Sequence, residues 1–156
     1  MPRDERGLVN ELQELAAVSR VILYALMGVI GFLTLVIGWA QVGIIRGKPF
    51  KNPDGTADDW REQKIFYGIA VADLTVACPL SLVSLGLTFA APKLGLFLLG
   101  GVSVWLVWSN VMTTVTSLRF EKPPITVEWL IVFPFGAAVG LAYLAWILVH
   151  FDTIYS

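Results

Sequence analysis

Hydrophobic positions dominate four long stretches of the chain, and charged positions are almost confined to the segments between them. The stretches cover residues 21–45, 65–92, 94–118 and 129–149, and the only charged side chain inside them is Asp73. About 20 apolar residues in a helix cross the roughly 30 Å hydrocarbon core of a bilayer. In lipid the backbone must satisfy its own hydrogen bonds, so each stretch predicts a transmembrane α-helix. The predicted helices are at about 21–46, 63–91, 93–118 and 127–150.

The segment before the first of these helices, residues 5–20, has the pattern of an amphipathic helix. Leu8, Leu12 and Leu15 recur at helical spacing, with glutamates between them. This helix either lies on the membrane surface or a partner, or simply extends the first transmembrane helix. The fold class predicted for the whole chain is therefore all-α. It is a single membrane domain over residues 1–156, an integral membrane four-helix transmembrane bundle with an amphipathic N-terminal helix.

Composition separates the chain from soluble proteins and from several kinds of site. Hydrophobic residues make up 56% and charged residues 15%, whereas soluble domains carry about 25% charged residues. The net charge of −1 provides no basic field for nucleic acid, and none is expected as a partner. The single cysteine, Cys78, and the single histidine, His150, exclude an intrachain disulfide and a multi-histidine metal site. We expect no metal and no other cofactor.

Lysine and arginine near the helix ends predict the orientation, since cytoplasmic loops carry the excess of these residues. The side with both termini and the second connection carries Arg3, Arg6, Arg20 and Lys93. The other side carries Arg46, Lys48, Lys51, Arg61, Lys64, Arg119 and Lys122. The sequence therefore predicts that the 46–64 and 119–126 connections are cytoplasmic, with the protein in a bacterial inner (cytoplasmic) membrane.

Asp73 is the main candidate for chemistry, because a carboxylate at mid-bilayer costs about 2.5–3.5 kcal/mol on insertion scales. The second and third helices are expected to form a tight hairpin around Pro92, which places Asp73 level with Asn110. Asn110 is the only amide side chain in the third helix, so we predict an Asp73–Asn110 hydrogen bond across the hairpin. The two residues then form either a structural link between helices or a protonatable site, and the sequence leaves both interpretations open.

Small and hydroxyl residues form a stripe on each of the two hairpin helices, and these stripes are predicted to face each other or the bundle interior. The stripes are Asp73, Ala77, Ser81, Ser84 and Thr88, and Ser103, Asn110, Thr113 or Thr114, and Ser117. On the fourth helix, Gly136 and Gly140 have GxxxG spacing. This spacing predicts a close-packed helix face without identifying its partner.

The first functional hypothesis is non-catalytic. The protein would be an accessory or structural subunit of a larger membrane complex or a homo-oligomer. Its partners would be the lipid bilayer and other membrane subunits, or further copies of this chain. The contacts would be made by the N-terminal helix, the Gly136/Gly140 face and the 119–126 connection.

Two alternatives remain. One is a proton- or ion-coupled transporter or channel component that uses Asp73 with Asn110 as its partner. The other is an intramembrane enzyme acting on lipid or quinone. For the enzyme, the only candidates near the interface are His150, Asp152 and Glu128. They do not form a recognisable catalytic set, so we predict no catalytic residues.

Overall fold

The computed structural model describes residues 15–48, 50–51, 57–58, 64–119 and 127–156. This part of the chain is almost entirely helical, which confirms the all-α class. Its helical elements are α1 (Ala17–Ile45), α2 (Lys64–Ala72), a π-helical turn (Asp73–Ala77), α3 (Cys78–Ala90), α4 (Pro92–Arg119), α5 (Val127–Val149) and α6 (Phe151–Tyr155). Two short strands, β1 (Phe50–Lys51) and β2 (Ala57–Asp58), pair antiparallel between α1 and α2.

Four helical segments in the described ranges are long and apolar enough to cross a membrane. They are Ala17–Ile45, Phe66–Ala90, Pro92–Thr116 and Leu130–Val149. The second of them runs through α2, the π-helical turn and α3 without a break. Large apolar side chains such as Phe32, Trp39 and Phe97 are 65–73% exposed on the outside of the bundle. A surface of this kind suits contact with lipid. The four spans confirm the predicted four-helix architecture.

The first spanning helix begins at Ala17, so the last residues of the predicted amphipathic segment belong to α1. Leu15 is buried and packs into the main core. Residues 5–14 of that segment lie outside the described residues, as does the 120–126 connection. The membrane-surface position of the N-terminal segment therefore stays a prediction.

The main core lies where α1, α4 and α5 meet. Leu23 and Ile30 of α1, Leu99 and Leu106 of α4, and Tyr143 of α5 are fully buried in one cluster. The seven-residue separation within each pair keeps both side chains on one face of a helix. Tyr143 also donates its hydroxyl to the Leu96 carbonyl oxygen at 2.8 Å, so α5 is held to α4 by a hydrogen bond as well as by packing.

The hairpin predicted around Pro92 is present, and its connection is the single residue Ala91. Just beyond the turn, Gly95 of α4 lies against the backbone of α3. A Cβ atom at Gly95 would lie 2.5 Å from the Thr88 Cα and 2.6 Å from the Leu87 carbonyl carbon. Only glycine fits at this crossing, because neither neighbouring atom belongs to a side chain that can move away.

The glycines of the predicted packing face, Gly136 and Gly140, contact α4 of the same chain. A Cβ atom at Gly140 would lie 2.6 Å from the Ser103 carbonyl oxygen, and one at Gly136 would lie 2.6 Å from Asn110 Nδ2. Both glycines are buried by this contact. The face is therefore occupied inside the chain, and we no longer assign it to contact with a partner subunit.

Candidate functional site

Asp73 is the first residue of the π-helical turn that interrupts the second spanning segment. The backbone N–H of Cys78 bonds to the Asp73 carbonyl oxygen, five residues back instead of four. Pro79 follows at once, and a proline inside a helix has no N–H and clashes with the carbonyl four residues earlier. The wider turn accommodates Pro79 without ending the helix, which explains why it lies directly before the proline.

The Asp73 carboxylate joins three spanning segments. It is 5% exposed, and Oδ2 accepts a hydrogen bond from Gln41 Nε2 of α1 at 2.7 Å. Oδ1 accepts a hydrogen bond from Trp105 Nε1 of α4 at 3.1 Å. Each carboxylate oxygen thus has a donor from a different helix, and both donors are neutral. We call these three residues the Asp73 junction.

Asn110 does not take the predicted place beside Asp73. Its Nδ2 donates to the Leu106 carbonyl oxygen of its own helix at 2.7 Å, and its amide lies against Gly136 of α5. The hairpin predicted the depth of the Asp73 partner on α4 to within little more than one helical turn, since Trp105 lies five positions from Asn110. It could not give the rotation of α4 about its own axis. That rotation follows from Gly136, because the missing side chain leaves space for the Asn110 amide.

The polar stripe on the second spanning segment is buried as predicted, and its members are Asp73, Ala77, Ser81, Ser84 and Thr88. A second hydrogen bond from this stripe to α1, besides that of Asp73, joins Thr34 Oγ1 and Ser81 Oγ at 2.7 Å. Ser84 and Thr88 donate to carbonyl oxygens of their own helix. On α4, Ser103 and Asn110 are buried and Thr113 and Thr114 are half-buried; the Ser117 side chain lies outside the described residues.

Cys78 is a packing residue in this interior. Its Sγ is 3.8 Å from the Thr34 carbonyl oxygen, and it lies against Gly38, where a Cβ atom would be 3.7 Å from the sulfur. The side chain is buried. The hydrogen bond of the thiol goes to a backbone carbonyl oxygen, as expected of a packing residue.

A cavity of about 180 Å³ lies beside the Asp73 junction, between α1, α2, α4 and α5. Most of its wall is apolar, and its polar lining residues are Gln41, Asn110 and Thr113. Gln41 therefore belongs both to the junction and to the cavity wall. Its Oε1 is buried and has no hydrogen-bond partner. We call this space the Gln41 cavity.

The enzyme candidates do not converge, because His150 and Asp152 follow the end of α5 whereas Glu128 is the second residue of that helix. His150 stacks on Trp146 with ring centroids 4.7 Å apart, and its Nδ1 is buried without a hydrogen-bond partner. Asp152 is exposed, and the Glu128 side chain lies outside the described residues. Over the described ranges, no group of three or more His, Cys, Asp or Glu residues is placed to hold a metal ion.

The C-terminal residues are hydrogen-bonded to the start of α4 at the end of the bundle that carries His150. Tyr155 of α6 donates its hydroxyl to the Lys93 carbonyl oxygen at 3.2 Å, and Lys93 Nζ lies 3.5 Å from the Ser156 carbonyl oxygen. Burial raises the pKa of Tyr155, so the phenol stays neutral and remains a donor. These hydrogen bonds hold the C-terminal turn against the α3–α4 hairpin, which is a structural role.

Sequence reasoning missed two members of the Asp73 junction. Gln41 carried a usable signal, because it is the only amide side chain in the first apolar stretch. The long connection between the first two helices hid it, since positions there cannot be paired by depth as they can across a one-residue turn. Trp105 carried no such signal, because an indole within a spanning helix is usually a packing or lipid-facing side chain.

Comparison with known proteins adds no family to this picture. The chain matches no protein-family model, and neither the curated proteins nor the solved structures contain a match to it.

Proposed function

We propose that the protein is an accessory or structural subunit of a larger membrane complex or a homo-oligomer, and that a transmembrane helix of the neighbouring subunit packs against α1 and α3. The observation that carries this proposal is a groove of about 390 Å³ on the outside of the bundle. It is lined by Tyr24, Met27, Gly28, Leu85, Gly86 and Phe89. We call it the α1–α3 groove.

Two glycines make this groove suitable for close packing of a second helix. Gly28 and Gly86 are exposed, and a Cβ atom at either would meet nothing within 4 Å. Glycine inside a helix costs about 0.5–1 kcal/mol relative to alanine, and no neighbouring atom in the described part of the chain requires glycine here. Small residues let the backbone of a second helix approach closely in lipid. The partially exposed ring of Tyr24 and the exposed ring of Phe89 offer contact area beside them.

The Asp73 junction supports a structural role more than a transport role. A proton relay needs neighbouring groups that can take up and release protons. The side chains that hydrogen-bond to Asp73 are an amide and an indole, and neither exchanges protons in this way. The carboxylate instead receives one donor from each of two other spanning helices, an arrangement suited to fixing their relative positions.

The proposed location is the inner membrane of a bacterium, with the 46–64 and 119–126 connections on the cytoplasmic side. Support comes from the distribution of lysine and arginine between the two ends of the bundle. Labelling of introduced cysteines tests this in a Cys78→Ala background. In intact spheroplasts, a membrane-impermeant maleimide is expected to label Ser156→Cys and to leave Lys48→Cys unlabelled until lysis. The opposite labelling pattern would show that the protein has the reverse orientation in the membrane.

Size measurement in native membranes tests the proposed assembly. Protein at native expression levels is extracted with its surrounding lipid in polymer nanodiscs and weighed by native mass spectrometry. Wild type is expected to appear in an assembly heavier than the 17.1 kDa chain. Gly86→Leu, which fills the α1–α3 groove, is expected to shift most of the protein to the mass of the single chain.

Gly101→Leu is the matched control for that experiment. Gly101 is also exposed, on α4, with nothing within 4 Å of a Cβ atom, and it does not line the groove. We expect this variant to keep the wild-type assembly. A wild-type protein found only as a single chain, or equal dissociation of both variants, would contradict the proposal.

A further inference from the structure

We propose that the Gln41 cavity binds a six-membered ring that carries a hydroxyl group, presented as the head of a lipid-soluble molecule entering from the bilayer. The hydroxyl hydrogen-bonds to amide oxygens of the cavity wall, and the ring contacts its apolar side chains. This site is independent of the α1–α3 groove and of the proposed assembly. The residues that carry it belong to α1, α2, α4 and α5.

The size of the cavity sets the size of the ligand. Its volume is about 180 Å³. An engineered apolar cavity of about 150 Å³ stays dry and binds benzene. The Gln41 cavity therefore has room for one such ring together with a hydroxyl or a small substituent. Apolar contact to the ring would come from Leu33, Ile37, Ile44, Phe66, Ile69 and Phe133.

The orientation of the two amides sets the polarity of the ligand. Gln41 Nε2 is held by the Asp73 carboxylate at 2.7 Å, which can only accept, so the amide oxygen points away from the junction. Asn110 Nδ2 is held by the Leu106 carbonyl oxygen at 2.7 Å, which fixes that amide in the same way. The Thr113 hydroxyl donates to the Ser109 carbonyl oxygen at 2.8 Å. Each amide keeps its oxygen and one further N–H, and a ligand hydroxyl, which both donates and accepts, can pair with either.

Gln41 Oε1 is buried and lacks a hydrogen-bond partner, and a small shift of the Gln41 side chain would bring it to the cavity surface. A buried acceptor without a partner is unfavourable, and a ligand hydroxyl removes that penalty when it reaches the oxygen. An alkyl chain alone would fill the apolar volume but leave the acceptor unpaired. The cavity therefore distinguishes a hydroxylated ring from a plain acyl chain.

The rim of the cavity shows the direction of entry. Val36, Trp39 and Val132 line the cavity and are 42–73% exposed on the outside of the bundle. These side chains lie within helices long and apolar enough to cross a membrane, so on this proposal they face lipid. A ligand carried on an apolar tail can therefore reach the cavity laterally, without passing through water.

Photolabelling of the full chain in lipid nanodiscs tests the site, with a diazirine-bearing phenol as the probe. Labelled residues are expected at 33–44 and 132–136, as identified by mass spectrometry. Competition with p-cresol is expected to need about tenfold less compound than competition with p-xylene, which has the same shape without the hydroxyl; one hydrogen bond is worth about this ratio. Equal competition, or labelling only by a diazirine on a phospholipid acyl chain, would overturn the proposal.

A matched pair of variants separates the cavity from general membrane uptake of the probe. Ala40→Leu adds volume at a residue that lines the cavity and is expected to abolish the specific labelling. Ala25→Leu makes the same change on the exposed surface of α1, away from the cavity, and should leave labelling unchanged. Undiminished labelling in Ala40→Leu would refute the site. Since purified single chains are used, this result does not depend on the proposed assembly.

Discussion

Replacing Asp73 by alanine is expected to lower the free energy of unfolding by about 2–4 kcal/mol. The change removes the acceptor for Gln41 Nε2 and for Trp105 Nε1 together. Neither donor can turn to water within a spanning helix, so both are left in a medium that offers no replacement. Relief from burying a carboxylate offsets part of the loss, which keeps the expected value below the sum of two unpaired donors.

Asp73→Asn is the informative companion, because it keeps the shape of the side chain. Its amide oxygen can accept from Trp105 Nε1, and its amide nitrogen can donate to Gln41 Oε1 once the Gln41 amide rotates by a half turn. We therefore expect Asp73→Asn to stay within about 1 kcal/mol of wild type, the typical worth of one hydrogen bond. Denaturation with SDS in mixed micelles measures both variants. Equal destabilisation by both would show that the negative charge, not the hydrogen bonds, holds the junction.

The same pair bears on function. If Asp73 holds helices together, activity of the native assembly should survive Asp73→Asn and fail only in variants that unfold. If Asp73 carries protons, Asp73→Asn should abolish flux in proteoliposomes while the fold remains intact. Unchanged flux in that variant would contradict the transporter hypothesis, since the two hydrogen-bond partners of Asp73 are not titratable and could not take over its role.

Gly95→Ala is expected to cost about 3 kcal/mol, at the upper end of the range for overpacked interiors. A Cβ atom at this position would lie 2.5 Å from the Thr88 Cα, and Thr88 is buried at the crossing of α3 and α4. Backbone atoms cannot move aside without opening the hairpin. The one-residue connection at Ala91 leaves no slack to absorb that movement.

The control is Gly101→Ala on the same helix. A Cβ atom at Gly101 meets nothing within 4 Å, so the variant gains the better helix propensity of alanine without a clash. We expect its stability in mixed micelles to equal or exceed that of wild type by up to about 1 kcal/mol. Equal losses at both positions would mean that the glycines act through helix propensity, and that the close approach at Gly95 is not limiting.

Much of the architecture could be predicted from the sequence, because in lipid the decisive forces are local. Each long apolar stretch must satisfy its backbone within itself, so its length and composition alone imply a spanning helix. The same reasoning extends to the polar stripe from Asp73 to Thr88, whose members are all buried. A polar side chain in lipid has only the bundle interior to turn to.

The contacts of the candidate site depended on the tertiary structure. Depth along the membrane follows from counting residues, but the partner of a side chain also depends on the rotation of each helix and on side-chain reach. Asp73 therefore pairs with Gln41 and Trp105, while Asn110 turns to Gly136. By itself the sequence determined the four spans and the inward orientation of the polar stripe from Asp73 to Thr88, because lipid enforces both one helix at a time. Only the tertiary structure decided which of those side chains meet, because packing at glycines such as Gly136 sets the rotation of neighbouring helices.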